Sequence, residues 1–301
     1  MAIIFFVMGF CTLSFAQQIR FRVVSWNVEN LFDIHHDSLK NDREFLPDAL
    51  RHWNYTRYKK KLTDMARVIT AVGEWEPPAL VGLCEVENDT VLRDLTRRSP
   101  LKELNYRYVM TDSPDLRGID VALLYQRDLF KLLSFRSVSI PPLKQFRPTR
   151  DLLHVSGLLL TGDTLDVFVC HLPSRSGGAK ESEPYRLHAA RILYTEADSI
   201  LNIRLHPQII IMGDFNDYPT NKSIQKILEA DGAFFCLIPA HIHMEPADAG
   251  TRLDAHQIPV MAGGLGAHVI IVSVTGRSTL FPQHRAGDDL TGDTCHIQQK
   301  L

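Results

Sequence analysis

Four apolar, β-branched runs in this chain stop in the same way, each breaking off into polar residues. "VVSWNVEN" ends in Asn27 and Asn30, "LVGLCEVEN" in Glu85, "LDVFVCHLPSRSGG" in His171, Ser174 and Ser176, and "IIIMGDFND" in Asp214 and Asn216. Runs of this length and composition read as buried strands. A carboxylate or amide at the mouth of a buried strand is costly unless something satisfies it. In layered α/β folds, binding sites collect at strand ends. The pattern predicts one pocket, built from distant segments, in which water, a cation or a substrate satisfies these groups.

The remaining elements set the fold class. "IRFRVVSWNV" (19–28), "PALVGLCEVEN" (78–88), "GIDVALLYQ" (118–126), "HVSGLLL" (154–160), "TLDVFVCHLP" (164–173) and "QIIIMGDFN" (208–216) read as strands. In "RYKKKLTDMARVITAVGEW" (57–75), Leu62, Met65, Ala66, Ile69 and Val72 recur near helical spacing. "ESEPYRLHAARILYTEADSILN" (181–202) is a long amphipathic helix and "NKSIQKILEA" (221–230) a short one. Between 118 and 173 strands follow one another without helices. That favours mixed sheets in a layered α/β domain over a purely parallel sheet.

Bulk properties exclude several classes. With 301 residues, 45% of them hydrophobic, the chain can bury a large core. A formal charge of -2 gives no global basic field to draw it onto nucleic acid. No apolar run after the start is long enough to cross a bilayer. The start, "MAIIFFVMGFCTLSFA", is uncharged and ends in Ser14-Phe15-Ala16, with small residues where a signal peptidase needs them. Residues 1–16 are therefore expected to be a signal peptide, and the mature protein to be exported, periplasmic or secreted. Cys84 and Cys170 lie inside apolar runs and read as buried thiols. No disulfide framework is indicated.

Two carboxylates, amides and a histidine at strand ends suit metal-assisted phosphoester hydrolysis. Mg²⁺ takes one or two carboxylates and keeps waters and phosphate oxygens as its other ligands. Glu85 is a candidate carboxylate for it. Asp214 is placed to accept a proton from an attacking water, Asn216 to orient that water, and His171 to neutralise charge at phosphorus. Each residue alone has a plainer reading: Asn27 in a turn, Glu85 paired with a loop arginine, His171 as a structural histidine. The combination and order carry the weight. "DIHHD" and "HIHMEP" raise a zinc hydrolase, but no His-Glu-x-x-His helix or Cys/His cage accompanies them. The Gly-Asn-His signature of calcineurin-like phosphatases is absent too.

Trp-Asn-Val, Leu-Cys-Glu, His-Leu-Pro-Ser-Arg and Gly-Asp-Phe-Asn, in that order, resemble the endonuclease/exonuclease/phosphatase superfamily, whose members are DNase I-like. "WNVENLFD" and "RGIDVALLY" are similar to exported bacterial members, and the resemblance runs from about residue 19 to about 250. It implies a four-layer α/β sandwich with two central mixed sheets, as one domain over 17–301. It places Asn27 and Glu85 at a metal, Mg²⁺ with Mn²⁺ as the alternative, His171 near the phosphate, and Asp214 and Asn216 at the nucleophile. Arg117 and Asp120 of "SPDLRGID" (113–120) are implied to border the substrate, with Ser174 and Arg175 beside them. The expected activity is phosphodiester hydrolysis of an endonuclease-like kind by a monomer. A phosphomonoesterase or sphingomyelinase-like hydrolase would use the same residues. Nucleic acid would want a basic rim, to which Arg147, Arg150 and Arg175 are candidates. "RYKKK" (57–61) reads as a solvated helix start.

The chain departs from the family pattern after about residue 251. Its late strand, "GAHVIIVS" (266–273), has Ala267 and His268 where an Asp is expected, and no Ser-Asp-His follows. A disturbed reading frame near His256 would account for this, as would a catalytically impaired member of the fold.

Overall fold

The computed structural model describes residues 21–73, 76–144, 146–218 and 220–228, and the strands at 235–239, 257–262 and 265–274. The signal peptide expected over residues 1–16 and the sequence beyond 274 lie outside the described residues.

In chain order the elements are β1 (Phe21–Leu31), α1 (Tyr55–Gly73), β2 (Leu80–Val86), α2 (Asp89–Arg98), β3 (Arg107–Met110), β4 (Asp120–Tyr125), β5 (Phe130–Val138), β6 (Leu152–Leu159), β7 (Thr164–His171), α3 (Ala179–Ile203), β8 (Ile209–Asp214), α4 (Lys222–Leu228), β9 (Phe235–Pro239), β10 (Gln257–Ala262) and β11 (Leu265–Val274). They form a six-stranded sheet in the order β10-β11-β1-β2-β4-β3 and a five-stranded sheet in the order β5-β6-β7-β8-β9. Both are mixed: β1 runs parallel to β2 but antiparallel to β11, and β7 runs parallel to β8 but antiparallel to β6. The late strand expected at 266–273 is β11, and it is paired along β1.

Three apolar layers explain why the strand runs are continuous rather than alternating. On β1, Val23 faces the other sheet while Val24 and Trp26 face α1 and α2. On β8, Ile210 and Met212 face the other sheet while Ile209 and Ile211 face α3. Strands covered on both faces need apolar residues at every position. The helices supply the outer layers, through Leu62, Met65 and Ile69 of α1 and through Ala189, Leu193 and Ala197 of α3. The result is the expected four-layer α/β sandwich.

Strands β3 and β5 and helix α2 add to the elements legible in the sequence. Helix α2 is set by Asn88, whose Oδ1 accepts from the Val91 amide at 3.1 Å, with Asp89 in its first turn and Arg97 and Arg98 in its last.

Where β7 and β8 run together, the backbones leave no room for a side chain. Gly213 has φ +133°, and a Cβ there would lie 1.8 Å from the Cys170 carbonyl oxygen. Across the sheet interface, a Cβ on Gly82 would clash with the Met212 side chain and touch Val169 at 3.5 Å. Cys84 and Cys170 are fully buried free thiols, and burial pushes both well above the ordinary thiol range. At the other end of β7, Asp166 is fully buried and accepts from His154 Nε2 at 3.0 Å and Arg204 Nε at 3.0 Å, and from the Ser156 hydroxyl. Burial pushes its carboxyl up, but these hydrogen bonds outweigh it and hold the group below the ordinary carboxylate value.

Gly213→Ala is expected to destabilise the fold by about 3 kcal/mol, because it adds a backbone clash to an unfavourable φ. Gly82→Ala, which displaces only a flexible methionine, should cost less. Urea unfolding of both variants checks the order. Asp166→Asn should cost about 2 kcal/mol at neutral pH. Because folding lowers the pKa of Asp166, its contribution is full above 3.8 and is lost as pH falls below that value. The stability gap between wild type and variant should therefore close in acid.

Candidate active site

Parallel pairing at the centre of each sheet brings its strand ends to one edge. In the five-stranded sheet the register pairs His171 of β7 with Asp214 of β8, and the Leu172 amide donates to the Asp214 carbonyl at 2.8 Å. In the six-stranded sheet Asn27 of β1 pairs with Cys84 of β2, which puts Glu85 one residue further along. The two edges meet. Asn27 Nδ2 donates to Asp214 Oδ2 at 2.9 Å, joining residues 187 positions apart.

Several described groups surround the Asp214 carboxylate. Asn27 Nδ2 and the His171 Nε2 at 3.7 Å sit on Oδ2, and the Asn216 amide donates to Oδ1 at 3.0 Å. At 3.7 Å the histidine is a charge neighbour rather than a hydrogen-bond partner. The Asn216 side chain is tied back, with Nδ2 donating to the Leu172 carbonyl at 3.0 Å. Asn27 Oδ1 accepts from the Glu29 amide at 2.9 Å, so both ends of its amide are fixed. Asn27, His171 and Asp214 are buried, and Asn216 and Glu85 are half-buried.

The backbone at this edge is irregular. Between Asn27 and Leu31 the β1–β2 register shifts, so that residues 28–30 stand against Glu85 alone. Glu29 (φ 52°), Asn30 (φ 65°), Glu85 (φ 65°) and Asn216 (φ 51°) all take left-handed conformations. Non-glycine residues rarely do so, and clusters of them mark functional sites.

Arginines frame the cluster. Arg117 is exposed, donates to Asn30 Oδ1, and comes within 3.8 Å of Glu85 Oε2. Arg175 is partly exposed and lies over the Tyr218 ring at 4.9 Å, with Asp217 at 3.8 Å. Ser174 beside it is exposed. Asp120 is placed differently from the others. It is buried, its Oδ1 accepts from Thr111 Oγ1 at 2.5 Å, the Ser113 amide at 3.0 Å and the Ser113 hydroxyl, and burial pushes its carboxyl up. Its carboxylate thus holds the 111–120 loop together rather than bordering open space.

Two sequence expectations about basic residues change. Arg150 is not on a rim. It is buried, with Nη1 on Asp115 Oδ2 at 3.2 Å, Nε on the His171 carbonyl at 3.2 Å and Nη2 on the Leu172 carbonyl at 2.7 Å. Since Asp115 Oδ1 accepts the Arg117 amide at 2.8 Å, Arg150 links the Arg117 loop to the end of β7. "RYKKK" is not wholly solvated either, for Tyr58 and Lys61 are buried.

Arg186 is a further residue the sequence reading passed over. It is fully buried, with Nε on Asp217 Oδ2 at 2.7 Å, Nη1 on Ser182 Oγ at 2.7 Å and Nη2 on the Ala179 carbonyl at 2.8 Å. It locks the start of α3 to the loop after Asp214. Its signal was an arginine on the buried stripe formed by Ser182, Ala189, Leu193 and Ala197.

As a donor set for a divalent cation, these residues suit a hard ion. Glu85 offers a half-buried carboxylate and Asn27 an amide oxygen, next to the Asp214 carboxylate. Among the described residues no three His, Cys, Asp or Glu side chains gather as a closed cage would require. A cation bound through few protein oxygens, keeping its waters, is what Mg²⁺ accepts.

The described chain matches known proteins at the level of fold. The human Nocturnin catalytic domain with bound sulfate aligns with a TM-score of 0.48 and 20% identity, covering 68% of this chain and 68% of that one. TDP2 from Caenorhabditis elegans aligns at 0.47 and 15%, covering 72% and 50%. ANGEL2, described as a 2',3'-cyclic phosphatase and bound to adenosine-2',3'-vanadate, aligns at 0.52 and 17%, covering 71% and 58%. The alignment thus spans about half of the TDP2 chain and under two thirds of ANGEL2. No curated protein matches the sequence. The sequence over residues 22–234 matches the Endonuclease/Exonuclease/phosphatase family, and the chain belongs to that family.

Proposed function

We propose that this protein is a Mg²⁺-dependent phosphoesterase that hydrolyses phosphodiesters, with Mn²⁺ as an alternative ion. The observation that carries the reading is the hydrogen bond from Asn27 to Asp214, which unites the two halves of the site. Glu85 and Asn27 would hold the cation. When bound there, it supplies Lewis-acid polarisation of the phosphoryl oxygen and positive charge beside the leaving oxygen.

The chain's own residues do the rest. Asp214 takes the proton of the attacking water as that oxygen bonds to phosphorus and the ester P–O bond breaks. Asn27 and the Asn216 amide keep the carboxylate aimed through the reaction. His171 stands beside Asp214 and stabilises charge growing on the non-bridging oxygens. Arg117 and Arg175, the exposed and partly exposed cations of the cluster, grip the flanking phosphate or its substituent.

A second reading is a catalytically impaired member of the same fold. The Ala267-His268 pair in the late strand, where an Asp is expected, favours it. Purified protein assayed on bis-nitrophenyl phosphate separates the two. An active enzyme should be silenced by EDTA and restored by Mg²⁺ or Mn²⁺. Asp214→Ala should lower kcat by roughly 10²- to 10⁴-fold. Equal, metal-independent rates in wild type and Asp214→Ala would establish the impaired reading. Plasmid DNA, RNA and a sphingomyelin analogue in the same assay sort nuclease from headgroup hydrolase.

A further inference from the structure

We infer that Lys61 is a positioning residue for the metal-binding half of the site, clamping the irregular end of β1 from behind. Its Nζ donates to the Glu29 carbonyl at 2.6 Å and to the Asn30 carbonyl at 3.2 Å. Both acceptors belong to left-handed residues inside the register shift, where β1 has three residues against Glu85. A bulge takes carbonyls out of the regular ladder, and buried carbonyls need donors. Lys61 donates to the Glu29 carbonyl and shares the Asn30 carbonyl with the Phe32 amide at 3.1 Å, with its ammonium 5.7 Å above the Trp53 ring.

The clamp reaches the site through two short paths. Glu29, whose carbonyl Lys61 holds, also carries the amide that fixes Asn27 Oδ1 at 2.9 Å, one peptide earlier. Asn30 in turn accepts from Arg117, whose guanidinium lies 3.8 Å from Glu85. Lys61 therefore stands behind Asn27, Arg117 and Glu85 without touching any of them. Burial pulls its ammonium down to about 8, against the opposing pull of Glu29 and Glu85. A cation kept in so unfavourable a place is conspicuous on a helix whose Lys59 and Lys60 lie in solvent.

The catalytic consequence rests on the phosphoesterase reading, whereas the clamp itself does not. Both are tested with Lys61→Met, and with Lys61→Gln should the methionine variant fail to fold. Hydrogen exchange is measured without metal or substrate over residues 27–32 and, as a reference, over 185–200 of α3. Exchange over 27–32 should accelerate about tenfold or more while α3 stays unchanged. Unchanged exchange over 27–32, or equal acceleration in both segments, overturns the clamp. In the phosphodiester assay kcat should fall by about 10- to 100-fold, with KM within about twofold. An unchanged kcat in a variant whose 27–32 segment has loosened overturns the positioning role. Inactivity of the wild-type protein would instead count against the phosphoesterase reading, leaving exchange to decide the clamp.

Discussion

The architecture turns on one contact between two separate sheets, the Asn27–Asp214 hydrogen bond. Stacked sheets pack roughly 10 Å apart, a gap that interior side chains normally fill. Short polar side chains can bridge it only at strand ends, where the apolar packing stops. Met212 packs against Gly82 across the interface, Cys84 Sγ meets the Cys170 carbonyl at 3.4 Å further along, and Asn27 and Asp214 begin the polar mouth beyond them. Tight backbone packing at Gly213 against Cys170 sets β8 beside β7, so His171 and Asp214 leave the core together. The dry core therefore aims the wet edge.

Aiming comes with local strain. Four non-glycine residues at this edge take left-handed conformations, each at a cost of about 1 kcal/mol. Surrounding groups over-determine them. Asn216 is held from both its amide and its side chain, and Glu29 from both its amide and its carbonyl. Regular strands would alternate these side chains between faces. The left-handed residues break that alternation and let neighbours such as Asn27 and Glu85 share one mouth.

Much of this was legible in the sequence, for identifiable reasons. The strand runs are apolar at successive positions because both faces are covered, which makes β1, β2, β7 and β8 conspicuous. Their polar ends were equally visible, since Asn27, Glu85, His171 and Asp214 interrupt otherwise unbroken runs. Strand β5 was harder to see: its residues are largely exposed, and "FKLLSFRSV" shows no clean alternation. Helix α2 carried a capping signal at Asn88 and Asp89 that a search for apolar periodicity alone overlooks. Asp120 was expected to border the substrate because "SPDLRGID" resembles a family loop. Only the fold shows that its carboxylate turns to Thr111 and Ser113.

The basic residues were the least legible, and one physical reason covers Lys61 and Arg150. A strand that ends irregularly exposes backbone carbonyls that its neighbour no longer pairs. Carboxylates aimed at a ligand cannot serve those carbonyls, because both are acceptors. Donors must come from behind, and they must be long enough to cross a packed layer. Lys61 reaches from α1 to Glu29 and Asn30, and Arg150 reaches to the carbonyls of His171 and Leu172. Arg186 instead reaches the Ala179 carbonyl in the first turn of its own helix, and Asp217 in the loop after β8. Buried cations are costly, so each is held by several acceptors at once. In a sequence such residues look like ordinary surface charges. Their position on a buried helical stripe, as with Lys61 between Tyr58 and Met65, is what separates them. The acidic front of the site and its basic backing are thus two consequences of the same irregular strand ends.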